Sequence, residues 1–259
     1  MIIHNNHNNV ATVLAYQQFF LGLLEGDGSI QVNHWKKRGL QFRIVIKLKY
    51  TDANYDMCTK IRQQLGIMNI HVRHGCVIMV EDHRKRLPKI MAIINKYGLL
   101  LTHRRKQYAF FKYCYDYQIT YSEYARIKLL NVHWFGYDHI DDYSSHQLLQ
   151  FSHWPHWLIG FTEAEGCFCI RANGNHSFSI SQKNGHEVLT AIKNTFKIPN
   201  KVRSAARAHV LETYAGAVLH NIICFYSTGA IGLLGEKQVQ LLAFKASLEK
   251  RPKKLRVMV

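Results

Sequence analysis

The sequence predicts an α+β fold of two pseudo-symmetric αββαββα halves, each built on an antiparallel sheet. Three observations carry that prediction. A phrase recurs at half-chain spacing: residues 19–32 read FFLGLLEGDGSIQV and residues 157–170 read WLIGFTEAEGCFCI. Each copy is followed by the same succession of patterns, two runs that alternate apolar with polar, one helical run, and two shorter alternating runs. Both halves then close on helical stretches with a similar phrase, LLLTHRRKQYAFFK at 99–112 and GLLGEKQVQLLAFK at 232–245.

Composition limits the function. With 34 Lys+Arg against 17 Asp+Glu the 259-residue chain carries +17, while 47% hydrophobic residues supply material for a true core and exclude a disordered basic tail. Such an excess calls for a polyanion, a nucleic acid or a membrane surface, unless it serves solubility alone. The basic runs at 36–38, 84–86, 104–106 and 250–256 are spread along the chain, which implies a long basic surface. No run approaches the ~18 apolar residues of a membrane span, and the first residues lack the charged-then-apolar layout of a signal peptide. The expectation is a soluble, unsecreted, intracellular protein without a membrane partner. The six cysteines include no CxxC pair, so neither a disulfide framework nor a zinc site is expected.

In chain order, residues 1–15 read as a flexible Asn/His-rich arm, 16–120 as the first half, 121–153 as a linker and 154–259 as the second half. The repeated phrase opens on a helix with small residues four apart, Gly22 and Gly26 in one copy, Gly160 and Ala164 in the other. That spacing puts them on one face and lets two helix backbones approach closely. Because the motif is duplicated, the two helices can pair across the pseudo-twofold axis and form the interface between halves. Next, Ile30 and Val32 alternate with Gln31 and Asn33, and Phe42, Ile44, Ile46 and Leu48 alternate with Arg43, Val45, Lys47 and Lys49. This is a half-buried strand pair. Phe168, Ile170, Phe178 and Ile180 repeat it in the second half. Helices follow at 53–65 and 186–196, and short strands around 69–80 and 201–213. The linker is polar, aromatic and histidine-rich, with a short helix around 122–130.

The chemistry sits where the motif helices end. Gly28 and Gly166 suit the left-handed position just past a helix C-terminus, which places Asp27 and Glu165 in the last turn. The macrodipole is negative there and disfavours a carboxylate. Two acids at two paired negative ends call for a cation. Few, hard oxygen donors beside a phosphate backbone point to Mg²⁺, which completes its shell with water and substrate oxygens. Phosphodiester hydrolysis is the matching reaction.

Residues 20–28, FLGLLEGDG, and 158–166, LIGFTEAEG, resemble the two motifs of a LAGLIDADG homing endonuclease of the single-chain, two-motif type. The resemblance covers about 16–118 and 154–250, including the strand and helix layout. It implies a saddle of two sheets over the DNA major groove, with Asp27 and Glu165 as catalytic metal ligands. Glu25 and Glu163 are then packing or capping residues. Around the metals it implies Gln182, with Lys49 as its counterpart by spacing, and Lys237 from the closing phrase. His103 and Arg104 stand where the family has lysine, so Arg104 is either the basic member of the first site or a phosphate clamp. The implied activity is monomeric, Mg²⁺-dependent cleavage of double-stranded DNA at a long asymmetric target, with Mn²⁺ as a substitute and Ca²⁺ supporting binding without cleavage. The alternative is an intron-encoded RNA maturase that binds its intron RNA. The resemblance also implies an organelle intron origin, in mitochondrion or chloroplast, or a phage intron origin.

Specificity is expected from the non-core strand faces. In the first half these offer Gln31, Asn33, Trp35, Arg43, Lys47 and Lys49, then Asn69, His71 and Arg73. The second half offers Arg171, Asn173, Ser177 and Ser179, then Lys201, Arg203 and Arg207. Arg and Lys suit guanine edges and Asn and Gln suit adenine, while a solvated face or a phosphate contact is the plain alternative for each.

Overall fold

Helix α1 (Ile3–Asp27) runs without a loop into β1 (Gly28–Trp35), and α7 (Trp154–Glu165) runs likewise into β5 (Gly166–Ile170). These are the two copies of the repeated phrase. The computed structural model describes residues 3–129, 139–206 and 208–250. In the first half, β1 is followed by β2 (Gly39–Lys49), α2 (Asp52–Leu65), β3 (Asn69–Arg73), β4 (Cys76–Glu81), α3 (Leu87–Tyr97) and α4 (Thr102–Asp116). Helices α5 (Tyr121–Leu129) and α6 (Ser145–Gln150) lie in the connecting segment. The second half continues with β6 (His176–Gln182), α8 (His186–Phe196), β7 (Arg203–Ala205), β8 (Ala208–Thr213), α9 (Gly216–Ser227) and α10 (Glu236–Glu249). Each half is therefore the expected αββαββα unit with its closing stretch divided into two helices.

Both sheets are antiparallel, in the orders β1-β2-β4-β3 and β5-β6-β8-β7. One face of each packs into the core. Phe42, Ile44, Ile46 and Leu48 of β2 and Phe178 and Ile180 of β6 are buried, as the alternation requires. Helix α1 shows no such alternation, since Phe19, Phe20, Leu21, Leu23 and Leu24 are all fully buried. This stretch is enclosed on every side, by its own half and by α7.

The α1–α7 contact is backbone to backbone. A Cβ added to Gly22 would lie 1.9 Å from the Trp157 carbonyl oxygen, and one added to Gly160 would lie 1.9 Å from that of Phe19. At Gly26 it would meet the Ala164 Cβ at 2.3 Å. The small residues therefore hold the two halves together.

Three expectations need correction. The segment 1–15 is not a separate arm, because α1 extends back to Ile3 and Ala15 is already in the core. Gly28 and Gly166 are not left-handed: Gly166 has φ −78° and neither is among the positive-φ glycines. Glycine is required there by space, since a Cβ would lie 2.4 Å from the Leu24 carbonyl oxygen at Gly28 and 2.8 Å from that of Thr162 at Gly166. Finally, Lys49 is not the counterpart of Gln182. Gly28 pairs with Ile46 and Gly166 with Ile180, so Gln182 corresponds to Leu48, and Lys49 to Lys183. A one-residue error in a strand exchanges its faces.

Candidate functional site

The acids of the repeated motif divide into two kinds. Glu25 is fully buried and accepts hydrogen bonds from the Leu100 and Leu101 backbone N–H groups, at 2.9 and 2.6 Å, and from Trp157 Nε1 at 2.7 Å. Glu163 accepts from the N–H groups of Leu234 at 2.6 Å, Gly235 at 2.9 Å and Lys237 at 3.3 Å. Each carboxylate thus meets the positive start of its half's closing helix, α4 or α10, where anions are favoured. Burial pushes Glu25 up to about 7, and its three donors and Arg104 oppose that. These contacts clamp the closing helix to the motif helix. They fix the separation between the basic groups of one and the acids at the end of the other.

Asp27 and Glu165 have no such donors among the described hydrogen bonds. Asp27 is open to solvent yet has enough protein around it for burial to raise it to about 6, against the pull of Lys237 and Arg104. Glu165 is raised to about 7 by burial and then by the charge of Asp27, with Arg104 and Lys237 opposing. Two carboxylates at negative helix ends, one raising the other, make a site deficient in positive charge. No group of three or more His, Cys, Asp or Glu among the described residues is placed to enclose a metal. The donor set therefore fits an ion that takes only a couple of carboxylates and fills its shell with water and substrate oxygen, as Mg²⁺ does.

The basic groups cross between halves. Lys237, from α10, lines a groove of about 340 Å³ with Asp27, Lys47, Lys49, Asn54 and Glu163. This groove is joined across the halves by Asn54, whose Oδ1 accepts from the Glu236 N–H at 2.9 Å while its Nδ2 donates to the Lys49 carbonyl at 2.9 Å. A second groove, of about 510 Å³, brings Thr102, His103 and Lys106 from the first half against Asn184, Gly185 and His186 from the second. Burial first, then Arg104 and Lys183, push His103 down to about 4, so it is neutral near pH 7. Gln182 does not line this groove. It is buried on the core side of β6 and packs beneath Gly185, whose added Cβ would meet its Cβ at 2.5 Å.

Arg104 occupies the position of Lys237 in its half, since Phe111 and Phe244 enter the core from corresponding turns. Its guanidinium is already committed. Nε donates to the Glu25 carbonyl at 2.9 Å, Nη2 to the Gly26 carbonyl at 3.1 Å and Nη1 to Gln107 at 2.9 Å. It caps the negative end of α1 immediately before Asp27.

The proposed base-reading residues of the first half share one face. Register sets Gln31 opposite Arg43, Asn33 opposite Gln41, and Trp35 opposite Gly39. Lys47 and His71 both face Ile78, Lys49 and Arg73 both face Cys76, and Asn69 faces Val80. In the second half Ser179 lies on the outer face opposite Cys167, and Arg171, Asn173, Lys201 and Arg203 are exposed. Ser177 is buried, which removes it from direct contact. Arg207 lies outside the described residues. Sequence reasoning missed Lys183, Asn54 and Glu212. Thr51 before Asn54 is an N-cap signal that points to the second of these, because Thr51 Oγ1 accepts from the Asn54 N–H at 3.1 Å.

Residues 20–115 match a family described as LAGLIDADG endonuclease. A probable intron-encoded endonuclease aI3 of Dictyostelium citrinum is 33% identical over 241 residues, 88% of this chain and 93% of that protein. A protein of the same description from Debaryomyces hansenii is 30% identical over 275 residues, covering 93% of this chain and 40% of that longer protein. Among solved structures, the fold is similar to that of the LAGLIDADG meganuclease I-CpaMI bound to uncleaved DNA, with TM-score 0.70, 16% identity and 90% of each chain covered. It is also similar to I-SmaMI bound to an uncleaved DNA target in the presence of calcium ions, with TM-score 0.68, 14% identity and 90% of each chain covered.

Proposed function

The chain belongs to the LAGLIDADG endonuclease family, and we propose that it is a monomeric, magnesium-dependent enzyme that cuts both strands of a long asymmetric DNA site. One observation carries this reading: a groove lined by both halves brings Asp27 together with Lys237, and Glu165, at the end of the other motif helix, lies within electrostatic reach of Asp27, Arg104 and Lys237. Asp27 and Glu165 would hold the ions, which when bound supply an activated water and stabilise the departing phosphodiester oxygen. Lys237 brings a compact positive charge beside Asp27 for a phosphate entering that groove. Lys47 and Lys49 widen the basic lining there. Arg104 acts as a positioning residue, holding the last turn of α1. The outer faces of the two sheets carry unlike side chains, which supports an asymmetric target. Mn²⁺ would substitute for Mg²⁺, and Ca²⁺, with longer and looser bonds, would support binding with little cutting. The descriptions of the relatives support an intron origin, and we infer residence in an organelle on the same ground. No described helix is long and apolar enough to cross a membrane. No observation favours the RNA maturase.

The raised acids make the metal-free protein pH-dependent in a defined direction. Both bind protons more tightly when folded, so the stability they contribute is complete below the ordinary carboxylate range and is lost as pH rises through about 6 and 7. The melting temperature without divalent ions should therefore fall between pH 5 and pH 8. Magnesium should restore it at pH 8 and do little at pH 5, because the ligands are protonated there. Calorimetry over that range checks both signs, and a metal effect independent of pH would contradict the assignment. The activity itself is tested by incubating the protein with a randomised duplex library in Mg²⁺ and sequencing the ends. A recurrent sequence at the cut is expected, and random ends or no ends would overturn the proposal.

A further inference from the structure

The outer face of the second sheet holds a carboxylate where the proposed function would place phosphates and bases. Glu212 of β8 alternates with buried Leu211 and Thr213 and pairs with Ser179, so its side chain belongs to the outer face. It stands between two arginines that come from different parts of the half. Arg171 Nη2 lies 3.4 Å from Glu212 Oε1 and donates to the Tyr214 hydroxyl at 2.6 Å, with the guanidinium carbon 4.9 Å from the Tyr214 ring centroid. Arg203 Nη2 lies 3.3 Å from Glu212 Oε2. The Glu212 side chain is 19% exposed, against 48% for Arg171 and 66% for Arg203. The carboxylate is thus the covered centre of the cluster and the guanidiniums are its open rim. A concavity of about 490 Å³, lined by Asn200, Lys201, Arg203, Glu212 and Tyr214, lies beside it.

A bare acid on a DNA-facing surface would repel phosphate and weaken binding. Exposed pairs made through single nitrogens also add little to stability, so fold maintenance is a poor reason for the arrangement. Orientation is a better one. Each guanidinium uses only Nη2 in these contacts and keeps Nε and Nη1 for acceptors on a base edge, of which guanine presents two, O6 and N7. A side chain already held in place loses less freedom when it binds.

We propose that Glu212 is a specificity-positioning residue, which presents Arg171 and Arg203 to guanine-containing base pairs of the half-site under the second sheet and disfavours their use as general phosphate contacts. This inference rests on the reading of that face as a DNA surface.

The test compares binding and cleavage of every single-base variant of the mapped target by the wild type, Glu212→Gln, Arg171→Ala, Arg203→Ala, the two arginine substitutions together and all three combined. Glu212→Gln should lower discrimination about tenfold at the same base pairs that the two arginine variants affect. It should also raise affinity for unrelated duplex DNA, and it should add nothing when both arginines are absent. A discrimination profile identical to wild type, with or without a change in melting temperature, would overturn the positioning role. So would an effect that persists undiminished without the arginines, since Glu212 would then read a base itself. A wild-type protein that discriminates no base pair would overturn the DNA reading instead, and the wild-type arm reveals that separately.

Discussion

An Asp27→Asn protein should hold target DNA at least as tightly as the wild type and cut it about a thousandfold more slowly or worse, the several kcal/mol expected when one ligand of a hydrolytic metal is lost. Glu165→Gln should behave in the same way. Both substitutions keep the size of the side chain and remove a negative charge from the surface proposed to meet phosphates, so affinity has no reason to fall. Neither touches the clamp made by Glu25 and Glu163, whose hydrogen bonds lie on the other side of each motif helix end. Single-turnover cleavage together with gel-shift titration in Ca²⁺ checks the separation of the two effects. Wild-type cleavage by either variant would contradict the metal assignment.

The second large effect is on the fold. Gly22→Ala should destabilise the protein by about 3 kcal/mol or more, at the upper end of overpacking costs, because the new methyl would sit 1.9 Å from a backbone oxygen that no side-chain rotation can move. That is a large part of the roughly 5–15 kcal/mol that holds a typical domain folded. Relief requires α1 and α7 to separate, and their ends carry Asp27 and Glu165, so cleavage should fall along with stability. Gly39→Ala is the control. Its added Cβ meets nothing within 4 Å among the described residues and its φ is not positive, so urea midpoints should be nearly unchanged. A Gly22 variant as stable as the Gly39 variant would mean that the halves are not joined through this contact.

What was legible in the sequence follows from the range of each interaction. Strand faces were legible because alternation is local: Gln31, Arg43, Lys47 and Lys49 share the outer face in the structure as their spacing requires. The paired motif helices were legible because the small residues recur in both copies. Register was not, since the two hairpins differ in length, and Lys49 was matched to Gln182 where the strand pairing gives Leu48. The clamps were legible only as a choice between packing and capping, because the partners of Glu25 lie 75 and 76 residues away. The exchange of Lys237 into the groove of Asp27 left no local trace at all. It depends on how the two halves meet, as does the bond from Asn54 to Glu236, 182 residues apart. Arg104 reads in the sequence as a departure from lysine, and only the carbonyls of Glu25 and Gly26 show what the larger, forked side chain does there.

The central claim is that each strand is cut at a site assembled from both halves, and that the two sites are unequal. Strand-specific end labelling of the mapped target under single-turnover conditions tests it most directly, with wild type, Lys237→Met and Arg104→Ala compared. The account predicts that the wild type accumulates a nicked intermediate, that Lys237→Met slows one strand at least about tenfold more than the other, the share typical of one lost positioned charge, and that Arg104→Ala, which releases the last turn of α1 before Asp27, slows chiefly the strand that Lys237→Met slows. Equal rates on both strands in the wild type and in both variants would contradict it.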